Sequence, residues 1–340
     1  MTGHPTPRRS AARPNLPPAG RRLPLPPVLL ASLVALTMLL GGALLLAGCG
    51  SAGTSTTTQP QTTQGTFPVT VKDDDGNSMT IAKEPVRIVS TAPASTEILF
   101  ALGVGDRVVG VSSLDDYPPQ VTSIAKVGDF QANTEAVMAL SPDLVIGYSG
   151  NEDALNPVKA AGADVIILNP ASMEGIYNNI TMVGAATGAT AQAAGLVDSL
   201  KAQVKQIADA ATATGKSPKV FYALDNTLWT AGPGSFVDEL LKIVNATNVG
   251  SMPSSKSAAT QPYYQFAPEQ LVAADPDVIL LPNTAYKTID EFVKDPRFAE
   301  LRAVKDGHVY VIDDVIITRP GPRIADGLKA LLQAVHPGAL

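Results

Sequence analysis

The chain has 340 residues, of which 45% are hydrophobic, and a formal net charge of −6. Five arginines lie before residue 49 in a segment without acidic residues, so the rest of the chain carries 20 basic and 31 acidic residues, a net charge of −11. This acidity argues against a nucleic-acid partner, because phosphate binding requires a basic surface. Cys49 is the only cysteine, which excludes an intrachain disulfide.

The N-terminal segment contains an uncharged apolar run over residues 28–46, followed by Ala47, Gly48 and Cys49. The run is long enough for a membrane span. Its ending, however, resembles the lipobox of bacterial lipoproteins, in which small residues precede a cysteine whose thiol accepts a diacylglycerol. We therefore predict a signal peptide over residues 1–48, lipid attachment at Cys49 and a location on the extracytoplasmic face of the cell membrane. An uncleaved membrane anchor and a free buried thiol are the alternatives.

Two short segments separate this signal from the main part of the chain. Residues 49–66 consist mainly of Ser, Thr, Gln and Gly and predict a flexible tether, since they cannot bury enough apolar surface to become ordered. Residues 67–85 contain an alternating pattern around Asp75-Gly76-Asn77, which predicts an N-terminal β-hairpin. Asp73, Asp74 and Asp75 lack the spacing of a calcium loop, so we expect a solvated turn.

Residues 86–187 alternate between short β-branched runs and helical patterns, which predicts an N-terminal α/β lobe with a parallel sheet and crossover helices. The predicted strands cover residues 86–90, 108–111, 144–147 and 165–168. The predicted helices cover residues 95–102, 134–140, 154–161 and 173–187.

A single long helix is predicted within a bridging segment at residues 188–215. Apolar residues recur at helical spacing between Thr190 and Thr214, and Gly215 and Pro218 are stop signals. The same alternation of strands and helices returns in a C-terminal α/β lobe at residues 216–340. Its predicted strands cover residues 219–223, 278–281 and 309–312, and its predicted helices cover residues 236–244, 269–273 and 322–335.

An internal repeat relates the two lobes. Glu135 begins the sequence EAVMALSPDLVIGY and Glu269 begins EQLVAADPDVILLP, and a weaker echo relates the segments that begin at Glu97 and Glu239. Chance is the alternative explanation, because a short helix followed by Pro-Asp and a strand is common in α/β proteins. The duplicated order predicts two related lobes joined by the helix, with one cleft at the carboxyl ends of the strands.

Motifs for catalysis are missing from the sequence. His308 and His336 are the only histidines after the N-terminal segment, and no hydrolase elbow, phosphate-binding loop or zinc-protease motif occurs. We therefore expect neither an enzyme nor a bound metal or resident cofactor.

Aromatic residues are 5% of the chain, yet several follow predicted strands or lie in loops. Such side chains offer rigid contact area for a large ligand, although half-buried structural tyrosines are the alternative. They are Tyr117, Tyr148, Trp229, Tyr263 and Tyr264.

Several motifs between residues 86 and 337 resemble the substrate-binding lipoproteins of ABC importers for cobalamin, haem and ferric siderophores. They are Pro93-Ala94-Ser95-Thr96-Glu97, Asp116-Tyr117-Pro118-Pro119, Ser141-Pro142-Asp143, Thr230-Ala231-Gly232 and Arg319-Pro320-Gly321-Pro322-Arg323. The resemblance implies a monomeric receptor that delivers its ligand to a permease dimer driven by a cytoplasmic ATPase. It also implies that Glu135 and Glu269 dock the two lobes onto arginines of the permease. Stabilisation of two helix starts is the alternative role.

The resemblance leaves the ligand open. A cobalamin-like corrinoid is favoured because the loop of residues 112–119, which contains Tyr117, looks similar to that of cobalamin-binding members. In addition, Tyr148, Trp229 and Tyr264 match aromatic positions around a corrin ring, although Leu114 stands where an aromatic is expected. A ferric siderophore would need a basic cleft, to which Arg319 and Arg323 could contribute. Haem binders of this family use an axial His or Tyr, and in this chain only tyrosines could serve. A surface-anchored enzyme on the same fold is the alternative from another functional class.

Overall fold

In a computed structural model of the chain, the described residues are 65–252 and 261–340. The predicted signal peptide, Cys49 and nearly all of the tether lie outside these residues. In the two described ranges, no helix combines the length and the apolar character needed to cross a bilayer. The described residues all belong to one compact unit.

An antiparallel hairpin opens the described part, with strands β1 (Val69–Lys72) and β2 (Ser78–Ile81). Its turn is exposed over residues 74–77, as expected from the sequence, but the first of its three aspartates is not solvated. Asp73 is buried, and its carboxylate accepts a hydrogen bond from the Asn77 N–H at 2.7 Å. The Asp74 carboxylate accepts one from the Asn169 N–H at 2.6 Å. These two aspartates therefore fix the turn and tie it to the N-terminal lobe.

The N-terminal lobe is a five-stranded parallel sheet with crossover helices. Its strands are β3 (Ile88–Ser90), β4 (Val108–Val111), β5 (Ala125–Lys126), β6 (Leu144–Tyr148) and β7 (Asp164–Leu168), in the order β5-β4-β3-β6-β7. Its helices are α1 (Pro93–Ala101), α2 (Thr134–Ala139), α3 (Glu152–Ala160) and α4 (Met173–Ala186). The predicted strands and helices of this lobe are confirmed, and β5 is the strand that the sequence pattern missed.

One long helix, α5 (Thr190–Ala213), links the lobes. Its 24 residues span about 36 Å at about 1.5 Å per residue. Its buried face contains Ala193, Val197, Leu200, Ile207 and Ala211, and it packs against α4 of the first lobe and the last helix of the second. One continuous hydrophobic core therefore runs from lobe to lobe through this helix, and each lobe also has a separate apolar cluster of its own.

The C-terminal lobe contains a four-stranded parallel sheet and a small antiparallel sheet. The strands are β8 (Lys219–Tyr222), β9 (Trp229–Ala231), β10 (Thr247–Asn248), β11 (Tyr263–Gln265), β12 (Val278–Pro282) and β13 (Val309–Ile312). The helices are α6 (Phe236–Ile243), α7 (Pro268–Ala274), α8 (Asp290–Val293), α9 (Arg302–Lys305), α10 (Asp314–Thr318) and α11 (Ile324–Val335). The parallel sheet has the order β10-β8-β12-β13, and β11 pairs with β9.

The two parallel sheets share one topology, because β4-β3-β6-β7 and β10-β8-β12-β13 follow the same strand order. The repeated Pro-Asp pair has the same structural role in both. Asp143 accepts a hydrogen bond from the Arg87 N–H at 2.9 Å, and Asp277 accepts one from the Lys219 N–H at 2.7 Å. Each aspartate thus joins the start of one central strand to the start of its neighbour.

The short helices before these aspartates also end alike. Ser141 and Asp275, each directly before a proline, have φ values of 47° and 42°. The Arg87 guanidinium donates to the Leu140 carbonyl at 2.9 Å, and the Lys219 ammonium donates to the Ala274 carbonyl at 2.6 Å. A basic side chain from the adjacent strand therefore caps the last turn of each helix, as expected for unpaired carbonyls at a helix C-terminus.

Candidate ligand-binding site

A cavity of about 330 Å³ lies between the lobes at the carboxyl ends of the strands. Tyr148 ends β6, and Asn169 follows β7, so this is the predicted edge of the N-terminal sheet. Such cavities typically measure about 300 to 1,000 Å³. The lining residues are Tyr148, Asn169, Pro170 and Ala171 from the first lobe and Gly234, Ser235, Phe236, Pro262, Tyr263, Thr318 and Pro320 from the second.

Tyr148 is the predicted aromatic that lines this cavity. Burial raises the pKa of its phenol above 10.0, and the nearby Tyr263 raises it further. The hydroxyl therefore keeps its proton at neutral pH and can donate a hydrogen bond to a ligand.

The small sheet of β9 and β11 determines which other aromatics face outward. Tyr263 and Trp229 are exposed, whereas Tyr264 has only 4% of its surface exposed. The Tyr264 hydroxyl donates to the Gly250 carbonyl at 2.6 Å, and its ring lies 6.0 Å from that of Phe266. Successive side chains of a strand point to opposite faces. The structure therefore corrects the assignment of Tyr264, because Tyr263 is the residue that lines the cavity.

Trp229 and Tyr117 do not line the cavity but remain accessible. Trp229 begins β9 and has 42% of its surface exposed, and Tyr117 has 44% exposed. Tyr117 lies in the loop after β4, where its ring stacks under the Arg323 guanidinium at 4.2 Å. Either ring could contact only a ligand that extends beyond the cavity.

Arg319 and Arg323 lie at the boundary between the lobes and are both paired with carboxylates. Arg319 donates to Glu97 Oε1 at 2.8 Å and to Asp116 Oδ1 at 2.7 Å. Arg323 donates from Nη2 to Glu97 Oε1 at 2.6 Å and from Nε to Glu97 Oε2 at 3.0 Å. These four residues, which we call the arginine cluster, carry two positive and two negative charges, so they do not form a basic cleft.

Glu97 and Asp116 are the residues of this cluster that the sequence did not assign to the site, and Glu97 is the more buried of the two. It lies in α1 and has only 3% of its surface exposed, although both of its partners come from the other lobe. The sequence signals for Glu97 were a glutamate within an otherwise uncharged helix and the echo between Glu97 and Glu239.

Asp116, the other carboxylate of the cluster, is held in its charged form. Burial alone would raise the pKa of Asp116, but the hydrogen bond and the charge of Arg319 outweigh burial and lower it.

Glu135 and Glu269 lie outside the cavity at matching positions. Each is the second residue of its helix, α2 or α7, and each is exposed. Both helices run back against the strand that follows them, so their first turns lie near the carboxyl edges of the two sheets. The sequence repeat is thus matched by two equivalent exposed carboxylates, one on each lobe.

The two histidines of the described residues lie far from this cavity. Both line a separate cavity of about 850 Å³, which is bordered by Pro218 and Val278 at the amino ends of β8 and β12. His336 is buried, and its ring lies 2.9 Å from the Val244 carbonyl. Among the residues that the structure describes, no group of three or more His, Cys, Asp or Glu side chains could hold a metal ion.

Two α/β lobes, one connecting helix and a cavity between the lobes define the class of two-lobed solute-binding proteins. Residues 88–316 match the family described as periplasmic binding protein, and the chain belongs to this family. The predicted fold class is thereby confirmed.

Three similar proteins illustrate the family. An uncharacterized ABC transporter substrate-binding lipoprotein, YvrC, from Bacillus subtilis (strain 168) is 36% identical over 309 residues, which cover 88% of this chain and 95% of the relative. A cobalamin-binding protein from Halobacterium salinarum is 30% identical, covering 79% of this chain and 74% of the relative. The periplasmic heme-binding protein RhuT from Roseiflexus sp. RS-1 is 28% identical with a TM-score of 0.65, covering 75% of this chain and 99% of RhuT. These relatives bind solutes or serve transporters and are not named as enzymes.

Proposed function

We propose that this protein captures a cobalamin-like corrinoid between its lobes and delivers it to an ABC permease dimer that a cytoplasmic ATPase drives. The observation that carries the proposal is a cleft with aromatic walls whose described lining residues include no lysine or arginine. Tyr148 and Tyr263 supply flat contact area, and the Asn169 side chain and the Tyr148 hydroxyl supply polar groups for the amide side chains of a corrinoid. Trp229 and Tyr117 extend the aromatic surface beyond the cavity, as a bulky ligand requires.

The arginine cluster disfavours the two anionic alternatives. A ferric siderophore or the propionates of haem would need free guanidinium groups, whereas Arg319 and Arg323 are already paired with Glu97 and Asp116. Haem would also need an axial ligand, and the described histidines line the distant cavity, so only tyrosines of the cleft could serve. The similarity to RhuT nevertheless makes haem the alternative to test.

The proposed mechanism assigns separate tasks to separate parts of the chain. Cys49 carries the lipid that holds the protein on the extracytoplasmic face of the membrane, and residues 49–66 act as the tether. Glu135 and Glu269 orient the two lobes on the permease. Exposed ion pairs contribute only about 0 to 1 kcal/mol each, so they set orientation more than affinity. The protein itself performs no catalysis in this scheme.

The decisive experiment is a titration of the purified protein with cyanocobalamin, haem and a ferric hydroxamate. Trp229 is the only tryptophan in the chain, so its fluorescence reports directly on ligand contact. We expect saturable quenching by cyanocobalamin, and about tenfold weaker binding after Tyr148→Ala or Tyr263→Ala, equivalent to about 1.4 kcal/mol. Phe130→Ala is the matched control, because Phe130 is exposed and does not line the cavity.

Two results would contradict the corrinoid assignment. Tight haem binding that is lost in Tyr148→Phe would identify an axial phenolate and a haem receptor. Tight binding of the ferric hydroxamate alone would identify a siderophore receptor.

A chemical activity that survives simultaneous alanine substitution at Tyr148, Trp229 and Tyr263 would favour an enzyme on the same fold.

A further inference from the structure

Helices α2 and α7 present two faces with the same pattern of exposure and a similar arrangement of acidic and apolar residues. Over residues 134–140 and 268–274 the side chains follow one pattern at all seven positions: half-buried, exposed, half-buried, buried, exposed, exposed and half-buried. Val137 and Leu271 occupy the buried position, each with 0% of its surface exposed. Each copy of the repeat therefore exposes the equivalent face of its equivalent helix, α2 in one lobe and α7 in the other.

Each face pairs a carboxylate with an apolar side chain. Met138 follows Glu135 by three residues, and Val272 follows Glu269 by three, so each pair lies on one side of its helix. Met138 and Val272 each have 44% of their surface exposed, and each is followed by an exposed alanine. An exposed large apolar residue at one site is ordinary. Its recurrence at the equivalent site of the other lobe, beside the equivalent glutamate, indicates a shared surface.

Both faces are fixed before any partner arrives. The last turn of α2 is capped by the Arg87 side chain, and the last turn of α7 is capped by the Lys219 side chain. The Asn133 side chain caps the start of α2 by accepting from the Ala136 N–H at 3.0 Å. At α7, the Gln270 side chain accepts from the Ala267 N–H at 3.2 Å. A preorganised helix face loses little conformational entropy when it is covered.

We propose that Met138 and Val272 form the apolar contacts of a two-part surface that seats this protein on a permease dimer. This inference rests on the proposed function and adds to it the residues that supply contact area beside the docking glutamates. Two equivalent faces on one chain fit a partner that offers two equivalent sites, which is a property of a dimer with twofold symmetry. Glu135 and Glu269 contribute little net affinity because they are exposed, so the apolar side chains provide the area that water leaves on docking.

The first test measures transport by cells that make this protein, with each variant of the full chain replacing the native copy. Uptake of radiolabelled cyanocobalamin is measured for three variants. The first carries both Met138→Ala and Val272→Ala, the second carries both Glu135→Lys and Glu269→Lys, and the third carries Ile289→Ala alone. Ile289 is the matched control because it is 42% exposed and lies on neither helix. We expect the Met138 and Val272 pair to reduce uptake about tenfold at limiting receptor concentration, with cyanocobalamin affinity and control uptake unchanged.

The outcomes separate this inference from the proposed function. Normal uptake in the Met138 and Val272 pair together with no uptake in the Glu135 and Glu269 pair would overturn the apolar contact and leave docking intact. Normal uptake in both pairs would overturn the apolar contact and the docking role together. A loss of ligand affinity in the purified Met138 and Val272 pair would also overturn the inference, because these residues would then act on the ligand site.

The second test does not depend on the identity of the ligand. A photoreactive benzoylphenylalanine is placed at position 138, 272 or 289 of the full chain, and the adducts formed on intact cells are identified by mass spectrometry. We expect positions 138 and 272 to yield an adduct with a subunit of an ABC permease and position 289 to yield none. Adducts between two copies of this chain at 138 and 272, or a permease adduct at 289 alone, would contradict the proposal.

Discussion

The two copies of the repeat keep the same contacts inside the lobes but differ in the contacts between them. Inside, Asp143 and Asp277 bind the backbone of the adjacent strand in the same way. Between the lobes, Glu97 is buried against two arginines, whereas the equivalent Glu239 accepts one hydrogen bond from the Met173 N–H at 3.1 Å. Glu239 thereby contacts the first turn of α4 in the opposite lobe.

This difference separates the requirements of the fold from those of the interface. Each sheet needs its central strands joined at their starts, so the same contact serves both copies. The interface needs only complementary groups, and it combines an ionic contact on one side with a helix-terminal contact on the other. A buried charge is costly without partners, whereas a half-exposed carboxylate near a helix N-terminus gains a modest stabilisation. Equivalent glutamates should therefore contribute unequally to stability.

The largest effect is expected for Glu97→Gln, which keeps the shape of the side chain and removes its charge. Arg319 and Arg323 would then remain partly buried, and among the described residues only Arg319 would keep a carboxylate partner, Asp116. Breaking a buried ion pair costs about 3 to 5 kcal/mol, and we expect about 3 kcal/mol because Asp116 still faces Arg319. The free energy of unfolding from urea denaturation measures the loss.

Glu135→Gln is the control for this variant, since Glu135 is exposed and has no ion pair among the described residues. We expect its free energy of unfolding to change by less than about 0.5 kcal/mol. An equal loss in Glu97→Gln and Glu135→Gln would show that the arginine cluster does not hold the lobes together.

The next largest effect concerns Asp115, a buried carboxylate without the partners that Glu97 has. Neither of its carboxylate oxygens has a hydrogen-bond partner among the described residues, and burial raises its pKa from 3.8 to about 6, although the positive charges of Lys126 and Arg319 partly offset this shift. A raised carboxyl pKa means that this group stabilises the fold below about pH 4 and loses that contribution as pH rises through 6.

Asp115→Asn should remove this pH dependence. We expect the variant to be more stable than the parent by about 2 kcal/mol at pH 7.5, after allowance for solvent screening, and equally stable at pH 4. Urea denaturation at the two pH values measures the difference. A stability difference that is constant between pH 4 and 7.5 would contradict the assignment of this effect to the Asp115 charge.

The architecture could be predicted from the sequence because its longer elements carry strong periodic signals. The helix from Thr190 and the β-branched strands of both sheets are examples, and the two Pro-Asp pairs revealed the duplication. Strands β5 and β10 contain two residues each, and helices α8 and α9 contain four each. Segments this short have no period to detect, so they were missed.

The site could be predicted only in part, because it depends on strand faces and long-range contacts. Tyr263 and Tyr264 are adjacent, and only the pairing of β11 with β9 decides which of them faces outward. Arg319 and Glu97 are 222 positions apart, so no local pattern could show that they pair. The sequence shows that arginines and carboxylates are present in these motifs. Only the folded structure shows that the arginines pair with the carboxylates between the lobes and that their charges cancel.

A smaller and symmetric effect is expected at the two Pro-Asp pairs. Asp143→Ala removes hydrogen bonds to the N–H groups of Val86 and Arg87, and Asp277→Ala removes the bond to Lys219 and the ion pair with Arg302. Hydrogen bonds to a charged group contribute about 1.5 to 3 kcal/mol. We expect a loss of about 1.5 kcal/mol in each variant by urea denaturation. A loss confined to one lobe would contradict the equivalence of the two copies.

The smallest effect is expected for Glu239→Gln, the counterpart of Glu97→Gln. Its carboxylate is half-buried and, within the part of the chain that the structure describes, accepts only the Met173 N–H, so a neutral amide oxygen can retain that bond. The variant loses mainly the attraction between the charge and the N-terminus of α4, typically about 0.3 to 1 kcal/mol. We expect a loss of about 0.5 kcal/mol in unfolding free energy, decreasing at high salt because this attraction is screened. A loss as large as that of Glu97→Gln would mean that the lobes are held equally from both sides.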